Sequence, residues 1–227
     1  MFNINSNNYN FMINSILKFP VPYRLYQKCV RSKFDEYNFI NFIFSQIKNK
    51  KNIRVLDLCS GDSYVLDYIS GSITNYLGID NNKHYLSRCK KKWINFNFLN
   101  LDVTDSKNIK YFLEFKPNFI FMNGAIHHLD DKTVNQINKF ILGYFSEAIF
   151  LSIDPVRYYN NFINKIMIRF DRGNFIRNKN DFSELMINYE SFIIDDFYKM
   201  SFQNIFHFRN LDLKKIYKDW KYRNISL

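Results

Sequence analysis

Cysteine is scarce in this chain: Cys29, Cys59 and Cys89 are the only three. The count is odd and no pair has C-x-x-C spacing, which argues against a disulfide framework and a zinc site, and no metal is expected. Reduced thiols fit the cytoplasm. No apolar stretch reaches ~18 residues, so no membrane span is expected. The Asn-rich start lacks the basic segment and apolar run of a secretory leader. No internal repeat or linker-like stretch divides the 227 residues, a length that suits one domain.

What is abundant needs discounting. Asn, Ile, Lys and Phe recur everywhere, and all four have AT-rich codons. The net charge of +11 has two readings, a nucleic-acid or membrane partner or lysine inflated by codon usage. The charge is spread along the chain, which favours the second. Its clusters (Lys48, Lys50, Lys51 and Arg88, Lys90, Lys91, Lys92) fall at element ends, where solvated lysine is ordinary.

Apolar spacing predicts a helix from Tyr23 to Ile47, broken near Asp35, after a short arm ending at Pro20 and Pro22. Strands and helices then alternate: strand Ile53–Asp57, helix around Tyr64–Ile69, strand Tyr76–Asp80, helix Lys83–Trp93, strand Phe96–Leu101, helix Ile109–Phe115, strand Phe119–Met122, helix Asp130–Phe145 and strand Ala148–Ile153. Strict alternation with short connections implies a parallel sheet covered on both faces. Residues 155–189 read as mostly helix, interrupted at 171–173. Phe192–Phe197 and Ile205–Phe208, with no helix between them, read as a closing antiparallel hairpin.

In such a sheet, ligands bind beyond the carboxyl ends of the strands. The first strand ends in Asp57-Leu58-Cys59-Ser60-Gly61-Asp62-Ser63, a turn of small residues that lets backbone approach a ligand. The second ends in Asp80, an acidic residue able to accept from both hydroxyls of a ribose. The third ends Leu101-Asp102-Val103 and the fourth Asn123-Gly124-Ala125, followed by Ile126-His127-His128-Leu129-Asp130-Asp131.

This ordered series, over residues 53–154, resembles the class I S-adenosylmethionine-dependent methyltransferases. The resemblance implies an α/β, Rossmann-like, seven-stranded and mostly parallel sheet with helices on both faces, a closing antiparallel hairpin and a helical lid. It implies S-adenosylmethionine as cofactor and S-adenosylhomocysteine as product. Asp57 would organise the loop that holds the methionine part, with Cys59 and Gly61 close to the cofactor; Asp80 would bind the ribose, and Asn81 is also expected at the cofactor. Asp102 would meet the adenine amino group, Val103 the ring face, and Asn123 would lie near the methionine end. The family has glycine where Cys59 and Ser63 stand, so the turn is expected to avoid positive φ there. Nicotinamide-binding folds carry an intact G-x-G-x-x-G, absent here. The segments Tyr23-Arg24-Leu25-Tyr26-Gln27 and 171–177 resemble those of a bacterial methyltransferase group of small-molecule or surface-polysaccharide pathways.

The expected organisation is a single domain: N-terminal helical cover 1–50, cofactor-binding core 53–154, lid 155–190, and hairpin with C-terminus 191–227. A small-molecule acceptor, methylated on oxygen or nitrogen, suits a lidded chain without a separate recognition domain. His127 and His128 are the candidate bases, or else shape the loop. Tyr23, Arg24, Asp154 and Tyr159 are candidate acceptor contacts. Arg172 and Arg177 either hold an anionic group or, one of them paired to Asp171, hold the lid. Cys59 and Cys89 read as packing residues, His84 as a helix-surface residue and His207 as part of a late strand. Two rivals stand: an RNA methyltransferase, motivated by charge, and a non-catalytic cofactor-binding subunit, motivated by the two missing glycines. An amino-group DNA enzyme is disfavoured, because Asn123-Gly124-Ala125-Ile126 is not the Asn/Asp-Pro-Pro-aromatic motif.

Overall fold

The computed structural model describes residues 36–47, 52–157, 173–195 and 203–225. Tyr23, Arg24, Tyr159 and Arg172, and most of the expected N-terminal cover and lid, lie outside them. The elements are α1 (Glu36–Ile47), β1 (Arg54–Leu58), α2 (Leu66–Ile69), β2 (Asn75–Asp80), α3 (Lys83–Lys92), β3 (Asn97–Asn100), α4 (Ile109–Phe115), β4 (Phe119–Asn123), α5 (Asp131–Tyr144), β5 (Ile149–Pro155), α6 (Lys179–Leu185), β6 (Glu190–Ile194), β7 (Asn204–Arg209) and α7 (Leu213–Ile225).

The strands form one seven-stranded sheet in the order β3-β2-β1-β4-β5-β7-β6. β1 pairs in parallel with β2 and β4, β2 with β3, and β4 with β5. β7 runs antiparallel between β5 and β6. The expected parallel sheet with an antiparallel closing pair is therefore present. Alternate strand residues feed two cores, since successive side chains point to opposite faces. Val55, Tyr76, Phe119, Phe121 and Leu151 pack with α1, α2, α3 and α7. Leu56, Leu77, Ile120, Met122 and Phe150 pack with α4, α5 and α6.

Local signals explain several boundaries. Asn82 caps α3 by accepting from the His84 and Tyr85 amides at 3.0 and 3.3 Å, and Asp130 caps α5 by accepting from Thr133 N at 2.7 Å. Lys116 ends α4 in a left-handed turn with φ 52°.

Three expectations need correction. The described part of the expected lid is not mostly helical: residues 173–178 carry no helix, and α6 has seven residues. Nor does α6 cover the strand ends, because Phe182 is fully buried in the core beneath the sheet. The sequence reading also missed α7, which inserts Leu213 and Trp220 beside α1; Phe39 packs against Trp220 at 5.2 Å.

Candidate active site

Strand order reverses between β1 and β4, and the cleft of a doubly wound sheet opens at such a switch point. There a cavity of about 510 Å³ is lined by Asp57, Cys59, Gly61, Asp80, Asn81, Asp102, Val103 and Asn123. These are all eight of the residues expected to touch a cofactor. His128 lines it too, as do Tyr37, Tyr64 and Tyr85, which the sequence reading did not single out.

The turn after β1 bends by a route the sequence reading excluded. Cys59, Gly61 and Ser63 all have positive φ, at 60°, 54° and 49°. The turn thus keeps a glycine-like backbone at two non-glycine positions, each costing about 1 kcal/mol or more. Tertiary contacts hold it. Ser60 N donates to Ile79 O at 2.9 Å, and Gly61 N donates to Asp80 Oδ2 at 2.8 Å. Gly78 makes room: a Cβ there would sit 2.9 Å from Phe98 Cδ1 and 3.0 Å from Ser60 Oγ.

Asp80 ties the site together. Its Oδ1 accepts from Asn82 N at 2.7 Å while Oδ2 takes Gly61 N. A carboxylate has about four lone-pair sites, so two stay available toward the cleft. Asp57, one strand over, is 3% exposed and accepts from the Tyr76 hydroxyl. Burial pushes its carboxyl up to about 7, the Tyr76 bond pulls the other way, and Asp80 adds to the rise. Burial and the surrounding carboxylates, Asp80 first, push the Cys59 thiol up to about 12. Cys59 is thus held as a thiol, a packing group rather than a nucleophile. Asp102 Oδ1 accepts from Thr104 N and Oγ1 at 2.8 and 2.7 Å, fixing the loop after β3.

Beyond β4, Ile126–His128 forms a 3₁₀ turn. The two histidines separate here. His127 is buried, with its amide N and its Nδ1 at 3.1 and 2.8 Å from Asp154 Oδ1. His128 is exposed on the cleft, its ring 4.2 Å from that of His127. Asp154, expected at the mouth, is buried at the end of β5; burial raises its carboxyl, and His127 works against that rise.

Arg177 also departs from expectation. It is 7% exposed and its guanidinium is fully engaged. Nε and Nη2 donate to Asp131 Oδ1 at 2.9 and 2.6 Å. Nη1 donates to Ile126 O and Phe175 O at 3.2 and 3.0 Å, and Nη2 to Leu129 O at 2.7 Å. It clamps both ends of the histidine turn and does not line the cleft, so it is not positioned to hold a substrate anion. Its acidic partner among the described residues is Asp131; Asp171 lies outside them.

On the other side, Tyr37 reaches the cleft from α1. Its ring stacks on Tyr68 at 5.0 Å and meets Tyr64 edge-on at 5.1 Å. The apolar stripe of α1 had suggested only core; the sole available signal was a tyrosine where neighbouring core positions carry Phe and Ile. Around the cavity stand Asp57, Asp62, Asp80 and Asp102, while among the described residues no Lys or Arg lines it.

No family model and no curated protein matches this sequence. Solved structures match its fold. The methyltransferase domain of bacterial CtHen1-CN aligns at 14% identity over 76% of this chain and 99% of that one, with TM-score 0.54. Mitomycin 7-O-methyltransferase MmcR aligns at 10% identity over 76% of this chain and 53% of that one, with TM-score 0.56. The plantazolicin methyltransferase BpumL, in complex with a triazolic desmethylPZN analog and SAH, aligns at 14% identity over 76% of this chain and 83% of that one, with TM-score 0.53. The likeness is one of architecture: this chain has the class I, Rossmann-like methyltransferase fold.

Proposed function

We propose that this protein is an S-adenosylmethionine-dependent methyltransferase acting on an oxygen or nitrogen of a small molecule. The observation that carries the reading is the charge of the cleft: four aspartates line it, with no Lys or Arg among its described residues. S-adenosylmethionine brings a sulfonium and an ammonium against one carboxylate, and suits such a site. A nicotinamide dinucleotide brings a pyrophosphate and does not. The turn after β1 supports the same choice. Its Gly61 N–H is taken by Asp80, and α2 has only four residues, a poor cradle for phosphate. The cavity volume of about 510 Å³ is within the range of cofactor sites.

Asp80 would accept from the ribose hydroxyls, with Asn81 beside it. Asp57, Cys59 and Gly61 would border the methionine part, Asn123 would stand near its end, and Asp102 and Val103 would border the adenine. The cofactor supplies an electrophilic methyl group on a good leaving group, so positioning carries much of the rate. His128 lines the cleft and would take the acceptor's proton on a ring nitrogen; His127, held by Asp154, would support the turn beneath it. The retained backbone shape at Cys59 and Ser63 counts against a degenerate, non-catalytic site. The acidic lining counts against a nucleic-acid strand in the cleft.

Isothermal titration of S-adenosylmethionine and S-adenosylhomocysteine tests this. Wild type binds both, and Asp80→Ala weakens binding about a hundredfold, since two charge-assisted hydrogen bonds are lost. His128→Gln keeps that affinity and loses turnover once an acceptor is found. A folded wild type, free of carried-over ligand, that binds neither compound would overturn the proposal.

A further inference from the structure

Among the described residues, charge is unevenly divided between the helices of the two layers. On the helices of one layer (α1, α2, α3 and α7), ten Lys and Arg face three acidic residues, Glu36, Asp67 and Asp219. On the opposite layer (α4, α5 and α6), four lysines face four acidic residues. Codon usage inflates lysine wherever lysine is tolerated; it does not leave one layer neutral. Helix-end electrostatics do not explain it either. Lys90, Lys91 and Lys92 complement the carboxyl end of α3, but Lys214, Lys215 and Lys218 stand at the opposite, amino-terminal half of α7.

From this segregation we infer that the α1–α2–α3–α7 layer docks on an anionic membrane surface. Most of its basic side chains are exposed. Lys92 pairs with Asp67, and Lys214 lies 3.7 Å from Glu190. The exposed positions of α1 between the basic helices are uncharged, Asn38, Asn41, Ser45 and Gln46. Apolar side chains project among the lysines: Ile94, just past Lys90–Lys92 and Trp93, is 82% exposed, and Tyr222, beside Arg223, is 77% exposed. Lysine mixed with exposed aliphatic and aromatic groups is the composition of surfaces that lie in a lipid interface. A nucleic acid serving as substrate would need a basic path into the cleft, and the cleft lining is acidic. No described helix is long and apolar enough to cross a membrane, so the contact is peripheral and electrostatic.

Vesicle sedimentation of the full chain tests this without cofactor or acceptor, and so separately from the enzymatic reading. Binding to phosphatidylcholine vesicles containing phosphatidylglycerol exceeds binding to phosphatidylcholine alone by about tenfold or more, and high salt removes the excess. Lys91→Glu, Lys215→Glu and Lys218→Glu together reduce it by about tenfold. Lys110→Glu, Lys132→Glu and Lys139→Glu, an equal charge change on the opposite layer, leave it unchanged. Absence of binding to the anionic vesicles overturns the inference. Equal loss in both triple variants also overturns it, since net charge alone would then explain binding. Binding of a single-stranded RNA without binding to the anionic vesicles replaces the membrane with nucleic acid.

Discussion

Asp57 shows what one buried carboxylate does to this protein. Its unfolded value is 3.8 and its folded value about 7. Between these the folded state holds the proton that the unfolded state has lost. Stability contributed by this group is therefore full below about pH 4, falls as pH rises through the window, and levels off above about 7. The whole effect amounts to at most about 4 kcal/mol. Asp57→Asn keeps a partner for the Tyr76 hydroxyl and removes the titration. Urea unfolding of the ligand-free protein at a series of pH values is expected to show wild type losing stability from pH 4 to 7 relative to Asp57→Asn. Parallel curves would assign the pH dependence elsewhere. A cationic ligand in the cleft stabilises the ionised form, so binding should strengthen over the same window.

At the scale of the element, the histidine turn depends on a residue that arrives from far along the chain. Arg177 donates to carbonyls 126 and 129 and to Asp131. Replacing it with methionine removes a donor from Ile126 O, which keeps Leu129 N, and from Leu129 O and Asp131, a loss of about 3 kcal/mol. That is a fall of roughly 5–10 °C in the thermal midpoint for a chain of this size. Arg177→Lys recovers only part, because an ammonium cannot span three acceptors. Cofactor affinity should change little, since Arg177 does not line the cleft. An unchanged midpoint would return Arg177 to the acceptor. This clamp illustrates what the sequence hides. Strand ends were legible, because β1 to β4 are apolar runs closed by Asp57, Asp80, Asp102 and Asn123. The partners of Arg177, the burial of Asp154 and His127, and the positive φ of Cys59 were not, because each is imposed by contacts distant in sequence. α7 escaped notice because its stripe is thin: over residues 213–223, Leu213 and Trp220 are the buried ones.

At the scale of the whole molecule, charge segregation carries an energetic consequence separate from any partner. Ten basic side chains on one layer repel one another, and the three acidic residues there offset only part of that. Glu36 does least, being buried beneath the layer and bonded to Asn204 at 2.9 Å. Salt screens such repulsion, with a Debye length of about 10 Å at 0.1 M. It also weakens attractive surface pairs such as Lys92–Asp67, but each is worth under about 1 kcal/mol. Repulsion therefore wins, and the thermal midpoint should rise by about 3 °C between low and physiological salt. The variant carrying Lys91→Glu, Lys215→Glu and Lys218→Glu should start higher at low salt and lose most of that dependence. The matching variant on the neutral layer should keep it. Calorimetric scans of the three proteins across a salt series decide the point: if all three midpoints move together, the dependence comes from general ion effects on the fold and not from the basic layer.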